Sequence, residues 1–225
     1  NGHIIGGEAL VRWQNDKEMI YPDQFIPVLE KNGYVIDVDN FIWNKVCACI
    51  KMMEDKGIEP VPISVNVSRM HVYQEKFTEN LKNMAGEYGI DPKYIPLEIT
   101  ESAFTKEEGS LFKKVQSLQG YGFKFSMDDF GSGYSSLGML KSERVDEVKI
   151  DKTFVDDIAT DKGKVLLGNV IRMINELGID MIAEGVETKE QADFLKENGC
   201  MYAQGYYYYK PMPIEEFAKL LENSA

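Results

Sequence analysis

The sequence is poor in the residues that build soft metal and redox centres. It holds two histidines, His3 and His71, too few for a His-rich metal site or for the His-Glu-x-x-His pattern of zinc proteases. Its three cysteines, Cys47, Cys49 and Cys200, are an odd count without Cys-x-x-Cys spacing. They are expected to be buried small apolar residues of a protein from a reducing, cytoplasmic compartment. No run of about 18 apolar residues occurs and no signal sequence opens the chain, so neither a membrane span nor direct membrane contact is expected. Positive charge is scarce: 25 Lys and Arg against 37 Asp and Glu leave a net charge of −12. That balance disfavours a DNA-binding surface, and an anionic substrate needs locally recruited cations. The first residue is Asn rather than Met, as expected of a piece excised from a longer multidomain protein.

The 225 residues are otherwise those of a globular chain, 44% hydrophobic and 28% charged, with eight prolines and no low-complexity tract. A chain of this length buries roughly 70% of its unfolded surface and needs no disulfides. Short β-branched runs alternate with longer segments whose apolar residues recur at three and four, the rhythm of strand-then-helix units feeding a parallel sheet. Strands are expected at Glu8–Trp13, Val61–Val67, Pro96–Thr100, Lys124–Met127, Glu147–Ile150, Asp180–Ala183 and Met201–Gln204. Helices are expected at Val38–Met53, Tyr73–Tyr88, Lys106–Leu118, Lys164–Leu177 and Lys189–Asn198. With no Pro-, Gly- or Ser-rich linker and no shift of composition, residues 1–225 read as one α/β domain, a barrel or an open sheet.

Nearly every expected strand ends in a carboxylate or an amide. Asn66 closes the second, Glu98 and Glu101 stand at the third, and Asp128 and Asp129 end the fourth. Lys149 and Asp151 share one face of the fifth while Val148 and Ile150 take the other. Glu184 and Glu187 follow the sixth, and Gln204 the seventh. Singly, such residues cap helices or make turns. In a parallel α/β barrel, however, all C-terminal strand ends open onto the face where active sites lie. Eight carboxylates gathered there, Glu8 included, would repel one another unless their pKa values rise or cations bind. Oxygen donors select Mg²⁺, Mn²⁺ or Ca²⁺ over zinc or copper. The adjacent Asp128 and Asp129 suit a two-metal site, in which one carboxylate bridges ions about 3.5 to 4 Å apart. Two such ions suit displacement at phosphorus, with Lys149 a fixed cation at the reacting oxygens and Arg12 a bidentate phosphate clamp, though an ordinary ion pair fits Arg12 equally.

Other features carry less. The run Asp129-Phe-Gly-Ser-Gly-Tyr-Ser-Ser136 lacks the Gly-Lys-Ser/Thr of a phosphate-binding loop and the other elements of a kinase. Gly131 and Gly133 are plain turn residues or parts of a pliable loop beside the metals. Tyr206–Tyr209 reads as a half-buried strand extension or as a stacking surface for a base.

Taken together, these blocks resemble the EAL domains, metal-dependent phosphodiesterases of the bacterial second messenger cyclic di-GMP. The chain carries Glu8-Ala-Leu-Val-Arg-Trp13, Asn66-Val-Ser68, Glu98-Ile-Thr-Glu101, Asp128-Asp-Phe-Gly-Ser-Gly-Tyr-Ser-Ser-Leu137, Val148-Lys-Ile-Asp151, Ala183-Glu-Gly-Val-Glu187, Gln204-Gly-Tyr206 and Lys210-Pro211, in order and over nearly its whole length. The resemblance implies a modified (β/α)8 TIM-type barrel that hydrolyses cyclic di-GMP to linear pGpG. It implies Mg²⁺ or Mn²⁺, two ions, with Ca²⁺ inhibitory. Glu8, Asn66, Glu98 and Asp128 would hold one ion, and Asp128, Asp129 and Glu187 the other. Lys149 and Gln204 would flank the nucleophilic water, Glu184 would be the general base or water-orienting acid, and Glu101 would secure the Asp-Asp-Phe-Gly loop. Arg12, Leu10 and Asp151 would meet the substrate. A homodimer and an upstream diguanylate-cyclase-like (GGDEF) or sensor domain are further implications. The family pattern also places an antiparallel strand bearing Tyr-Gln-Pro before the Glu-Ala-Leu strand, which the seven residues before Glu8 do not supply. The alternative function is a catalytically silent cyclic di-GMP receptor or interaction module, although silent members lose motif acids and none is lost here. An unrelated Mg²⁺ barrel acting on an enolate leaves Arg12 and the glycine loop unexplained.

Overall fold

A computed structural model describes residues 2–15, 18–100, 108–131, 140 and 145–222, with the main chain alone for 108–110. Its strands in chain order are β1 (Gly7–Ala9), β2 (Trp13–Gln14), β3 (Met19–Ile20), β4 (Ile63–Asn66), β5 (Leu97–Thr100), β6 (Phe125–Phe130), β7 (Glu147–Ile150), β8 (Asp180–Ala183) and β9 (Tyr202–Ala203). The α-helices are α1 (Pro22–Asn32), α2 (Val35–Asp55), α3 (Arg69–Tyr73), α4 (Phe77–Tyr88), α5 (Glu108–Gln119), α6 (Lys152–Asp156), α7 (Asp161–Leu177), α8 (Lys189–Glu197) and α9 (Ile214–Glu222). Contacts gather the chain into two compact units. The first comprises Asn1–Glu98, Ser110–Lys124 and Met212–Ala225, the second Ile99–Gly109 and Phe125–Pro211.

In the first unit β1, β4 and the start of β5 run parallel, with Glu8 opposite Ser64 and Asn66 opposite Glu98. Against β4 lies α2, whose buried positions Val35, Asp39, Trp43, Val46, Cys47, Ile50 and Met53 recur at three and four. All but Asp39 are apolar. Helix α1 stops at Gly33, whose φ of 87° is a left-handed cap that glycine adopts without a Cβ penalty. The expected strand Glu8–Trp13 breaks after Ala9. Arg12 turns its Nη1 onto the Val11 carbonyl at 2.8 Å, and Trp13 pairs instead with Ile20 in an antiparallel hairpin. Asn15 and Glu18 close that hairpin, Asn15 N–H donating to the Glu18 carbonyl at 3.1 Å and Glu18 N–H to Asn15 Oδ1 at 2.8 Å. The expected helix Tyr73–Tyr88 is two helices, because Gln74 is extended (φ −65°, ψ 135°) and Lys114 Nζ takes the carbonyls of Val72 and Gln74 at 2.7 and 3.0 Å. Residues 2–6 form no strand.

In the second unit β6, β7, β8 and β9 run parallel in sequence order. Helix α7 opens on Thr160, whose Oγ1 accepts the Gly163 N–H at 3.0 Å, and buries Leu167, Ile171 and Ile174. Thr188 and Gln191 form a reciprocal capping box at the start of α8. The expected strand Met201–Gln204 shortens to Tyr202–Ala203, and β6 runs three residues past its expected end at Met127, through Asp128 and Asp129 to Phe130. That extension contains a bulge: Met127 opposes Val148 and Phe130 opposes Ile150, so two acids face the single residue Lys149. The three cysteines are buried as expected, and burial pushes their thiols up to about 12 for Cys47 and about 11 for Cys49 and Cys200.

Candidate active site

The first unit places three hard oxygen donors at the ends of adjacent strands. Asn66 is the register partner of Glu98, and Glu8 faces Ser64, two residues from Asn66, so all three lie on one face. Asn66 Nδ2 donates to Glu8 Oε1 at 3.3 Å. Glu98 is only 1% exposed, and charges so deeply buried are paired, hydrogen-bonded or bound to a metal. Among the described residues no three His, Cys, Asp or Glu form a cation cage. With two acids available, the Asn66 carboxamide is needed to make three donors. The set fits Mg²⁺ or Mn²⁺, since it has no soft ligand.

Arg12 and Leu10 belong to the same unit. Leu10 is exposed, while the Arg12 guanidinium is half-buried over the Tyr21 ring at 5.9 Å. Among the described residues it pairs with no carboxylate, so the ordinary ion-pair reading of Arg12 is not realised there.

The second unit centres on Lys149, which is 1% exposed. Its Nζ lies 2.7 Å from Glu184 Oε1 and 3.6 Å from Asp128 Oδ1. Gln204 Nε2 donates to the same Glu184 oxygen at 2.7 Å. Four expected site residues therefore meet: Asp128 from β6, Lys149 from β7, Glu184 past the end of β8 and Gln204 past the end of β9. The bulge in β6 makes the Asp128-Asp129 pair possible. Asp129 takes φ 56°, a left-handed conformation, and its N–H donates to Asp128 Oδ1 at 3.0 Å. Without the extra residue, alternation would send the two acids to opposite faces.

Glycines let the chain pack closely here. At Gly131, φ 96°, a Cβ would stand 1.9 Å from the Phe154 ring, so this position is a close-packed turn. At Gly205 a Cβ would stand 2.2 Å from the Val186 carbonyl oxygen, and the Val186 N–H donates to the Gln204 carbonyl at 3.0 Å. That contact seats Gln204 beside Glu184.

Two expected site residues have local partners instead. Asp151 is the N-cap of α6, its Oδ1 accepting the N–H and hydroxyl of Thr153. Glu187 lies half-exposed in an ion pair with Lys152 at 3.1 Å. Lys152 is held above the usual lysine value, first by its hydrogen bond to Asp156 and then by the one to Glu187, against the opposing effect of desolvation. Tyr206–Tyr209 forms a hydrogen-bonded turn with exposed rings rather than a half-buried strand, because Tyr208 and Tyr209 N–H both return to the Gly205 carbonyl. Glu101 and Gly133 lie outside the described residues. Sequence reasoning passed over Lys152 and the linked trio Asp39, Trp43 and His71, of which Trp43 donates to the Asn66 carbonyl, Asp39 accepts the Ser68 N–H and His71 pairs with Asp39. The structure shows the acid Asp39 at a buried position of α2's apolar stripe, which the sequence pattern alone does not reveal.

Parallel strands ending in acids, amides and one buried lysine make this an α/β protein whose two units each carry polar strand ends suited to hard cations. The chain belongs to the EAL domain family, whose model matches residues 1–211. It is 35% identical over 217 residues to the oxygen sensor protein DosP of Escherichia coli, an alignment covering 96% of this chain and 27% of DosP. It is 32% identical over 218 residues to the bifunctional diguanylate cyclase/cyclic di-GMP phosphodiesterase MucR of Pseudomonas aeruginosa, covering 96% and 32%. The chain thus spans about a third or less of these two relatives. Among solved structures, the MucR phosphodiesterase in complex with cyclic di-GMP superposes with a TM-score of 0.91 at 32% identity, over 96% of this chain and 89% of that one. The likeness bears out the expected α/β fold class.

Proposed function

We propose that this chain is a cyclic di-GMP phosphodiesterase that hydrolyses one phosphodiester bond to give linear pGpG with the help of Mg²⁺ or Mn²⁺. The observation that carries this function is the intact Asp128–Lys149–Glu184–Gln204 cluster, supported by family membership and by the likeness to the cyclic di-GMP phosphodiesterase MucR. Divalent ions, when bound, neutralise the phosphodiester oxygens and acidify water. Glu8, Asn66 and Glu98 in the first unit, and Asp128, Asp129 and Glu187 in the second, would hold them. Glu187 Oε1 is engaged by Lys152, which leaves Oε2 for an ion. Lys149 supplies fixed positive charge for the oxygens on which charge develops. Glu184, oriented by Lys149 and Gln204, takes a proton from water or aligns it. The water oxygen joins phosphorus, the bond to one ribose oxygen breaks, and that oxygen leaves protonated. Arg12 and Leu10 face the substrate, Asp151 remains available to it only beyond its capping role, and Glu101 secures the Asp-Asp-Phe-Gly loop.

A homodimer, a GGDEF or sensor domain elsewhere in the full protein and a cytoplasmic location complete the proposal. Among the described residues no helix is long and apolar enough to cross a membrane. The deciding assay incubates the folded chain with cyclic di-GMP and Mg²⁺ or Mn²⁺. Accumulation of pGpG is expected, with Ca²⁺ suppressing it. Tight nucleotide binding without any pGpG would reject catalysis in favour of a receptor.

A further inference from the structure

One position in the buried stripe of α2 is an acid, Asp39, only 7% exposed. A carboxylate there destabilises the fold unless donors surround it. Two do: the Ser68 N–H at 3.1 Å and His71 Nδ1 at 3.2 Å, both on Asp39 Oδ2, which assigns the imidazole proton to Nδ1. His71 is 1% exposed and stacks on the Trp43 indole at 4.3 Å and 22°. One turn along α2 from Asp39, Trp43 Nε1 donates to the main-chain carbonyl of Asn66 at 3.0 Å.

These contacts fall where β1 no longer pairs with the chain and only β5 flanks it. Strand β1 ends at Ala9, opposite Val65, so Asn66 lies one residue past the last β1–β4 pair. Trp43 supplies a donor there, the Glu98 carbonyl takes the Val67 N–H at 2.9 Å, and Asp39 takes the Ser68 N–H. The main chain of three consecutive residues is thus held by groups outside β4, and the Ser68 carbonyl also accepts the His71 and Val72 N–H at 3.1 and 3.2 Å. The side chain of Asn66 is tied separately to Glu8. His71 Nε2 is buried with no hydrogen-bond partner among the described residues, a cost that an apolar ring at this position would avoid. The imidazole is retained for the Nδ1 proton it gives Asp39 and for its stack on Trp43.

We propose that Asp39, Trp43 and His71 are positioning residues that fix the main chain of residues 66–68 and thereby aim the Asn66 carboxamide oxygen at a divalent cation. The inference rests on the reading of Asn66 as an ion ligand. Groups that orient a ligand are worth about 10- to 100-fold in metal affinity. Trp43→Phe keeps the stacked ring and deletes the N–H, so it isolates the contact.

The test titrates Mn²⁺ by calorimetry into the whole chain, into Trp43→Phe, into Asn66→Ala and into the double variant, with circular dichroism reporting the fold. Trp43→Phe is expected to bind Mn²⁺ about tenfold more weakly. In the Asn66→Ala background the same change is expected to add nothing, because Trp43 acts through Asn66. A role confined to stability predicts the opposite, a loss that is the same in both backgrounds. Unchanged affinity in a folded Trp43→Phe, or full additivity in the double variant, overturns the proposal. Should Trp43→Phe not fold, His71→Gln, which keeps a donor for Asp39, is read in its place by the same two criteria. A parent chain that binds no Mn²⁺ removes the functional reading and this inference together, whereas parent binding with an unmoved variant removes this inference alone.

Discussion

Lys149 has the same physical problem as any ammonium taken out of water. It is 1% exposed, and the flanking Val148 and Ile150 are fully buried. Its charge is tolerable because Glu184 and Asp128 stand 2.7 and 3.6 Å away. Replacing such a group by a well-packed apolar one strands its partners, and breaking a buried ion pair costs about 3 kcal/mol or more. Lys149→Met is therefore expected to lower the urea midpoint in proportion and to reduce turnover of cyclic di-GMP at least a hundredfold, on the scale of other charge-stabilising groups. Equilibrium unfolding and a pGpG assay read the two losses separately. A variant that keeps turnover would discard the role given to Lys149. Gly205 poses a steric problem instead. A methyl group there meets the Val186 main chain at 2.2 Å, and main chain cannot rotate away as a side chain can. Gly205→Ala is expected to destabilise by about 2 kcal/mol or more and to loosen Gln204 from Glu184, seen as a lower melting temperature with a lower kcat.

At the scale of elements, strand identity was legible in β-branched runs, because an interior parallel strand must be apolar on both faces. Strand ends were less so. Periodicity could not reveal that β6 runs on through Asp128 and Asp129, since a bulge is a departure from the alternation by which strands are recognised. The split between α3 and α4 was hidden for a related reason. Apolar spacing continues across Gln74, and the break depends on Lys114, far along the chain, satisfying the exposed carbonyls. The acids and Gln204 were legible because polar residues after apolar runs are conspicuous. Asp39 was not, because a single acid in a helix reads as its solvent face. The cysteines behaved as small apolar residues, and their burial has a measurable consequence. With thiols raised to about 11 or 12, little thiolate exists at pH 8, so alkylation of Cys47, Cys49 and Cys200 is expected to track global unfolding. The same shift favours the folded state up to the ordinary thiol value of 9.0, and that contribution is lost as pH rises toward 12. Mass spectrometry of the native chain showing rapid labelling at pH 8 would contradict the burial.

At the scale of the whole chain, the net charge of −12 sets the conditions under which a dianionic nucleotide can bind. Divalent ions, on the proposed function, would relieve that charge locally, and any ligand that binds the folded state alone stabilises it by mass action. At a hundred times its Kd, one Mn²⁺ contributes about 2.7 kcal/mol. For a chain of this size each kcal/mol moves the melting temperature by roughly 2 to 4 °C, so one ion at that concentration is expected to raise it by roughly 5 to 10 °C, and a second ion to add a comparable rise. The rise should continue logarithmically with Mn²⁺ concentration and reverse with a chelator. Magnesium is expected to act in the same direction at higher concentration, because Mn²⁺ precedes it in affinity for most oxygen and nitrogen sites while demanding similar geometry. Glu8→Ala and Asp128→Ala each remove one carboxylate from a different unit, so each is expected to flatten the thermal response in part. A variant that flattened it completely would mean that a single ion, held chiefly by that residue, accounts for the stabilisation. A melting temperature indifferent to Mn²⁺ up to millimolar concentrations in the parent chain would sink the metal-dependent reading, whatever the nucleotide assay returned.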